Sequence, residues 1–239
     1  MTNVPALAEQ IDALLRQRGV PERAAQEQRY LKSELDHYGT SVPAVRAVVK
    51  ELTGKLPLHH DELIALAELL WAEPVHERRA AAAELLEQRV DQVRADDIDL
   101  LEQLLRESRT WALVDNLAAS VVGPLVERED SLGEVLDRWA ADPDFWIRRS
   151  ALLAHLIALR QGRGDFERFT RYADAMLEEK EFFIRKAIGW ILRDTGRLRP
   201  ELVYEWLLPR ASRAAGLTVR EAVKYLTAEQ RATILAARG

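Results

Sequence analysis

The chain contains no cysteine. Disulfides, thiol nucleophiles and cysteine-held zinc or iron–sulfur centres are therefore excluded. It also lacks positive charge in bulk: the formal net charge is −5. Any hold on nucleic acid must then come from a local basic face rather than from the molecule as a whole. No apolar run approaches membrane-spanning length without a charge. The first residues, MTNVPALAEQIDALLRQ, lack the charged start and apolar core of a signal peptide, so the expectation is a cytoplasmic protein with no membrane partner. GxGxxG, P-loop, GxSxG and HExxH patterns are all missing. His59 and His60 precede Asp61 without a ligand spacing, so neither a metal nor another cofactor is expected. Alternation of apolar and polar residues with β-branched enrichment is missing too, and with it any sign of strands.

What remains is helical. Hydrophobic residues make up 48% and charged residues 31%, with Ala, Leu, Glu and Arg prominent. At 239 residues the chain can bury a sizeable core. Leu7, Ile11, Leu14 and Leu15 form one stripe of a helix over 4–18, which Gly19 stops. Pro21 opens a helix to about Leu35, and Ser41 is a natural N-cap for a helix over 42–53. Further helices are expected at 61–72, 74–90 (opened by Pro74), 97–107 and 111–122, the last broken by Gly123–Pro124. Beyond these come 131–141, 143–160, 165–179, 181–195, 200–208, 217–226 and a short helix after Thr227.

A repeat runs through this series. HERRAAAAELL, WIRRSALLAHL, FIRKAIGWIL and TVREAVKYL each set basic or polar residues before an apolar helix. Arg78, Arg148, Arg185 and Arg220 are equivalent points, 70, 37 and 35 residues apart. The long gap holds two units, with its midpoint at Leu113, and Arg46 extends the series backwards by 32. A mid-thirties period of helix pairs indicates an α-solenoid, closer to HEAT repeats than to TPR. The expected fold is thus all-α: a right-handed solenoid of HEAT-like helix pairs in one domain over 1–239. Residues 1–40 would cap it, 41–227 carry the repeats, and 228–239 form a C-terminal tail or helix. Second helices of successive pairs would line a concave surface.

Inside the long gap lies WALVD. Trp111 and Asp115 are four residues apart and so share a helix face. An acidic residue in an apolar helical run either pairs with something or does chemistry. Trp190 lies in a similar run, EFFIRKAIGWILRD, with Arg185 and Lys186 at its start, and Arg148 and Arg149 open another. The plainer reading is that the arginines pair with acidic residues of the next repeat (Asp142, Asp144, Glu179 and Glu181 are near), that the tryptophans are core, and that Asp115 is a helix-to-helix hydrogen bonder. His155, in an apolar helix, reads as a packed, hydrogen-bonded histidine.

Three strings, EFFIRKAIGWILRD (181–194), DFWIRRSAL (144–152) and SRTWALVD (108–115), resemble the AlkD-type DNA alkylation-repair glycosylases. The similarity runs from about Tyr30 to Tyr225. It implies a HEAT-like fold gripping duplex DNA on a basic concave face, and excision of N3- and N7-alkylated purines such as 7-methylguanine and 3-methyladenine. The family's catalytic aspartate corresponds to Asp115, its two active-site tryptophans to Trp111 and Trp190, its phosphate-contacting arginine to Arg149, and a tyrosine near the lesion to Tyr30. With Arg148, Arg185 and Lys186 as further DNA contacts, this is the candidate site. One departure is visible: where the family has an aromatic pair and then an acidic residue, this chain has Thr110, Trp111 and Ala112. The family also implies a lesion left stacked, with chemistry reached through the backbone, and a monomer acting on alkylated duplex DNA without a cofactor. Three rivals stand beside it: a HEAT-type interaction scaffold, a non-catalytic binder of damaged or branched DNA, and a lyase handling a small prosthetic group.

Overall fold

The computed structural model describes residues 2–239, and among them no strand ladder forms; the elements are helices. None of these helices is long and apolar enough to cross a membrane. The chain divides into two compact units, Met1–Leu117 and Ala118–Gly239.

In the first unit, α1 (Val4–Gln17) is capped by the Asn3 side chain, which accepts from the Ala6 N–H at 3.2 Å, and Pro5 sits in its first turn, where no N–H is needed. It buries Val4, Leu7, Ala8, Ile11 and Leu15, the stripe a 3.6-residue period requires. Then come α2 (Pro21–Leu31), α3 (Val42–Thr53), α4 (His60–Ala72), α5 (His76–Gln88), α6 (Ile98–Ser108) and α7 (Trp111–Asn116). Ser41 caps α3, accepting from the Ala44 N–H, as its position before Pro43 leads one to expect. Helices α4 and α5 pack as one hairpin and α6 and α7 as another, while α3, α5 and α7 lie side by side in a row.

Two starts and stops differ from the sequence reading. The helix expected to reach Leu35 ends at Leu31, because Lys32 turns left-handed (φ 50°) and the Ser33 N–H returns to the Gln28 carbonyl. Pro74 does not open α5. The Asp36 N–H bonds the Pro74 carbonyl and the His76 N–H bonds the Asp36 carbonyl, which holds Val75 extended and delays the helix to His76. The same loop is fastened by Glu77, 1% exposed, whose carboxylate accepts the N–H groups of Tyr38, Gly39 and Thr40. Gly39 has φ +82°, which only glycine adopts without strain.

The second unit contains α8 (Gly123–Arg128), α9 (Gly133–Ala140), α10 (Phe145–Leu153), α11 (Leu156–Arg160), α12 (Phe166–Ala175), α13 (Phe182–Gly196), α14 (Pro200–Leu207), α15 (Gly216–Ala222) and α16 (Ala228–Ala236). Gly123 and Pro124 were expected to break a helix; instead they form the first turn of α8, directly after a π-helical stretch, Leu117–Val122. Proline lacks an N–H and its ring collides with the carbonyl four residues back, and the wider π turn moves that carbonyl aside. The helix expected over 143–160 is two, with a tight turn at Ala154–His155 between them. Helix α13 is the centre of this unit, packing on α10, α11, α14 and α15. Its Gly189 lets α15 approach closely: a Cβ there would stand 2.9 Å from the Glu221 Cβ and 3.1 Å from the Thr218 Cα. Trp139 and Phe169 are wholly enclosed, each removing roughly 150–250 Å² of mostly apolar surface from water.

The repeat positions fall on equivalent helices. Arg46, Arg78 and Leu113 lie early in α3, α5 and α7, and Arg148 and Arg185 early in α10 and α13; Arg220 lies in the last turn of the short α15. Within each unit these are the helices that stand in a row. A mid-thirties repeat of helix pairs is what the structure contains, and the fold class is an all-α solenoid of such pairs.

Candidate functional site

In the first unit the site begins with the sharp corner before α7. Helix α6 stops at Arg109, which is left-handed (φ 47°), Thr110 is extended, and Trp111 opens α7. Leu113 and Val114 are buried and hold α7 against its neighbours. Trp111 and Asp115 lie on the adjoining face and are half-buried. Trp111 is therefore not core in the way Trp71 (3% exposed) and Trp139 (0%) are. Tyr30 meets it edge-on, ring centroids 5.9 Å apart and planes at 90°. Helix α2 buries none of its residues, and Tyr30 is 73% exposed. An edge-to-face pair contributes about 0.5–1.5 kcal/mol beyond area burial, so the contact orders two aromatic rings that solvent still reaches. Alongside, a cavity of about 210 Å³ follows the α3–α5–α7 row from Val42 and Arg46 to Ala112 and Asn116, and Ala80 and Ala83 of α5 keep it open.

In the second unit, Asp144 caps α10, its Oδ1 accepting from the Trp146 N–H at 2.8 Å. Arg148 is engaged internally: it donates to both oxygens of Glu179 (3.0 and 2.9 Å) and to the carbonyls of Asp142 and Pro143. Arg185 donates to the Glu179 carbonyl at 2.6 Å. The Arg148–Glu179 pair is the kind of repeat-to-repeat tie expected of these arginines, whereas the Arg185 bond goes to a backbone carbonyl six residues earlier in its own repeat. Arg149 is 2% exposed; its guanidinium donates to the Phe183 carbonyl and lies 5.7 Å from the Phe183 ring centroid, tying α10 to the first turn of α13. Lys186 is exposed, its Nζ 5.9 Å from the ring of Phe182, itself 52% exposed. Trp190 is half-buried, and its indole N–H donates to Asp194 Oδ2 at 3.2 Å.

Asp194, not among the residues expected at the site, organises that end of α13. It is 3% exposed and also receives Arg160 at 2.7 Å and Arg193 at 3.0 Å. Two arginines compensate its burial, so the acceptor that orients Trp190 is a held carboxylate. Its signal in the sequence was the spacing Trp190–Asp194, the same four-residue step as Trp111–Asp115.

Of the expected residues, the structure thus brings Tyr30 to Trp111, with Asp115 one turn along α7, in the first unit. In the second it sets Arg149 against the start of α13 and anchors Trp190 on Asp194. His155, expected to be hydrogen-bonded, is packed against Phe169 and Tyr172, but its Nε2 is buried with no partner. Among the described residues, one group has donors close enough to hold a metal: Glu27, His37 and Glu77, with ligand atoms within 4.8 Å of one another. Glu77 already carries three backbone N–H groups and Glu27 holds Arg23 at 2.6 Å, so two of its three members have structural work.

A family model for DNA alkylation repair enzymes matches residues 11–226. A solved structure described as a predicted DNA alkylation repair enzyme from Enterococcus faecalis superposes with a TM-score of 0.77; the match has 24% sequence identity and covers 88% of this chain and 98% of that one. At that identity the likeness establishes the shared fold. No curated protein sequence matches the chain.

Proposed function

The chain belongs to the DNA alkylation repair enzyme family, and from that membership we propose that it is a monofunctional DNA glycosylase releasing positively charged N3- and N7-alkylated purines from duplex DNA. The observation that carries the reading is the contact of exposed Tyr30 with half-buried Trp111, one helical turn from a half-buried carboxylate, Asp115.

The chemistry suits those groups. A purine alkylated at N7 or N3 already bears a positive charge, so it leaves without a general acid; sugar hydrolases need a second carboxylate for that step. As the C1′–N bond stretches, positive charge grows on the deoxyribose. Asp115 stabilises that charge and orients the attacking water, which supplies hydroxide to C1′ while its proton leaves to solvent. The rings of Trp111 and Tyr30 offer negative π-faces to the same cation, a contribution of about 0.5–2 kcal/mol for each well-placed ring. No lysine is required as a nucleophile, so the product is an abasic site with the strand intact. In the second unit the exposed Lys186 contributes a backbone contact and Trp190 a rigid aromatic face; Arg149 and Arg148 hold the helix starts that present them.

The test is Asp115→Asn. The substitution keeps shape and deletes charge. The expected outcome is an unchanged melting temperature, retained duplex binding and release of 7-methylguanine slowed by about 10²–10³, the effect of removing one well-placed electrostatic group at about 2.7–4 kcal/mol. Release within a few-fold of wild type would remove Asp115 from the chemistry.

A further inference from the structure

Among the described residues, only two non-glycine positions have positive φ, Lys32 at 50° and Arg109 at 47°. The left-handed region favours glycine, which occupies the other such positions: Gly39, Gly162, Gly164 and Gly239. Lys32 follows Tyr30 by two residues, and Arg109 precedes Trp111 by two. Each ends a helix, Lys32 closing α2 and Arg109 closing α6. Both line one cavity of about 390 Å³, together with Ser33, Ser108, Glu34 and Arg79. Two strained basic corners therefore flank the aromatic pair and open on the same space.

A basic residue at a helix C-terminus also complements the helix dipole. That effect calls for a positive charge near the last turn but not for a left-handed backbone, and it does not explain why both corners share a cavity. The cavity's third cation is committed: Arg79 donates to the carbonyls of Trp71 and Glu107 and lies over the Trp71 ring. Lys32 and Arg109 are not enclosed. Lys32 is exposed, the Arg109 side chain is 75% exposed, and its ion pair with Glu34 is a loose 3.4 Å contact to a side chain 82% exposed. Such a pair contributes little and is readily exchanged for a stronger anion. Strained backbone held at exposed, functional-type residues is where strain collects when a site needs it.

We propose that Lys32 and Arg109 form a clamp for the phosphodiester backbone, seating the strand whose alkylated base is engaged at Tyr30 and Trp111. The inference rests on the glycosylase reading above. Lys32 supplies a compact ammonium and Arg109 a planar fork matched to two phosphate oxygens; the Ser108 hydroxyl, buried and donating to the Leu104 carbonyl at 2.8 Å, is already engaged. Glu34 is the resident competitor, and Arg109 exchanges it for phosphate when DNA arrives. The ligand class is nucleic-acid phosphodiester; the clamp reads no sequence.

The experiment uses the full chain, a fluorescent alkylated duplex and a potassium chloride series, with Lys32→Gly and Arg109→Gly as variants. Glycine relieves the backbone strain while deleting the charge, and Lys32→Asn and Arg109→Asn repeat the comparison with a second residue that tolerates this conformation. The clamp requires melting temperatures no lower than wild type. It also requires affinity weakened about 5- to 10-fold per variant, with the slope of log affinity against log salt reduced by about one for each lost contact. Glu34→Gln should tighten binding at low salt. Unchanged affinity and slope in the glycine and asparagine variants, with wild type binding normally, would overturn the clamp and leave the glycosylase reading standing. Wild type failing to bind alkylated duplex would overturn both. Inorganic phosphate should compete no better than chloride at equal ionic strength; strong competition would identify a free-anion pocket and overturn the backbone assignment.

Discussion

Replacing His155 with leucine should flatten the acid limb of this protein's stability. His155 sits at the turn between α10 and α11, 6% exposed, its ring 5.7 Å from that of Tyr172 and 6.3 Å from that of Phe169. Burial pushes its pKa down to about 4 from an ordinary 6.5; Asp165 and Asp137 oppose that shift in part, and Arg168 and Arg171 add to it. The folded protein thus keeps the imidazole neutral while the unfolded chain protonates it near 6.5. The resulting stability is complete above pH 6.5 and is lost as pH falls from 6.5 towards 4. The gap between the two pKa values corresponds to about 3 kcal/mol in full, of which about 2 kcal/mol is gone by pH 5. Leucine has no proton to gain, is close in volume, and removes a buried Nε2 that has no partner. Its cost at pH 7.5 should therefore be within about 1 kcal/mol. Urea unfolding followed by tryptophan fluorescence at pH 7.5 and pH 5 measures both proteins. His76, also held down to about 4 by burial, contributes equally to each and cancels in the comparison. Wild type should lose about 2 kcal/mol more than the variant between the two pH values. Equal losses would show that the buried imidazole is not what makes the protein acid-sensitive.

Arg148→Ala should lower stability by about 2–3 kcal/mol, since it strips Glu179 and two carbonyls of a charged donor, while leaving the salt slope of DNA binding unchanged. A reduced slope at wild-type stability would instead put Arg148 on the phosphates. Trp111→Ala should slow alkylpurine release without a cooperative loss of helicity, because the ring is half-buried and faces Tyr30; a large fall in melting temperature would show it to be core after all.

Much of the candidate site was legible in the chain, and in ways that differ residue by residue. Trp111 and Asp115 share a face because four residues make about one turn, which needs no structure to see. Arg148 and Arg185 were marked by the repeat, yet the repeat could not show that Arg148 bonds the Glu179 carboxylate of the next helix pair or that Arg185 bonds the Glu179 carbonyl. Arg149, its sequence neighbour, points elsewhere because adjacent helical residues diverge by about 100°, and it ends 2% exposed beneath Phe183. Tyr30 meeting Trp111 could not be derived from spacing, since 81 residues separate them and only the loop fastened by Glu77 and Asp36 brings α2 into place.

Period, helix class and the order of elements came from the sequence alone, because apolar spacing and end caps are local and each helix largely states its own face and its own start. Tertiary structure decided where local rules compete. Pro74 is a good first residue for a helix, but the bridge from Asp36 keeps it out. Gly123–Pro124 is a good break, but a preceding π turn lets the helix carry it. Lys32 and Arg109 carry no sequence mark of left-handed geometry; packing imposes a conformation that the chain by itself would give to glycine, and only the folded arrangement shows that both open on one cavity.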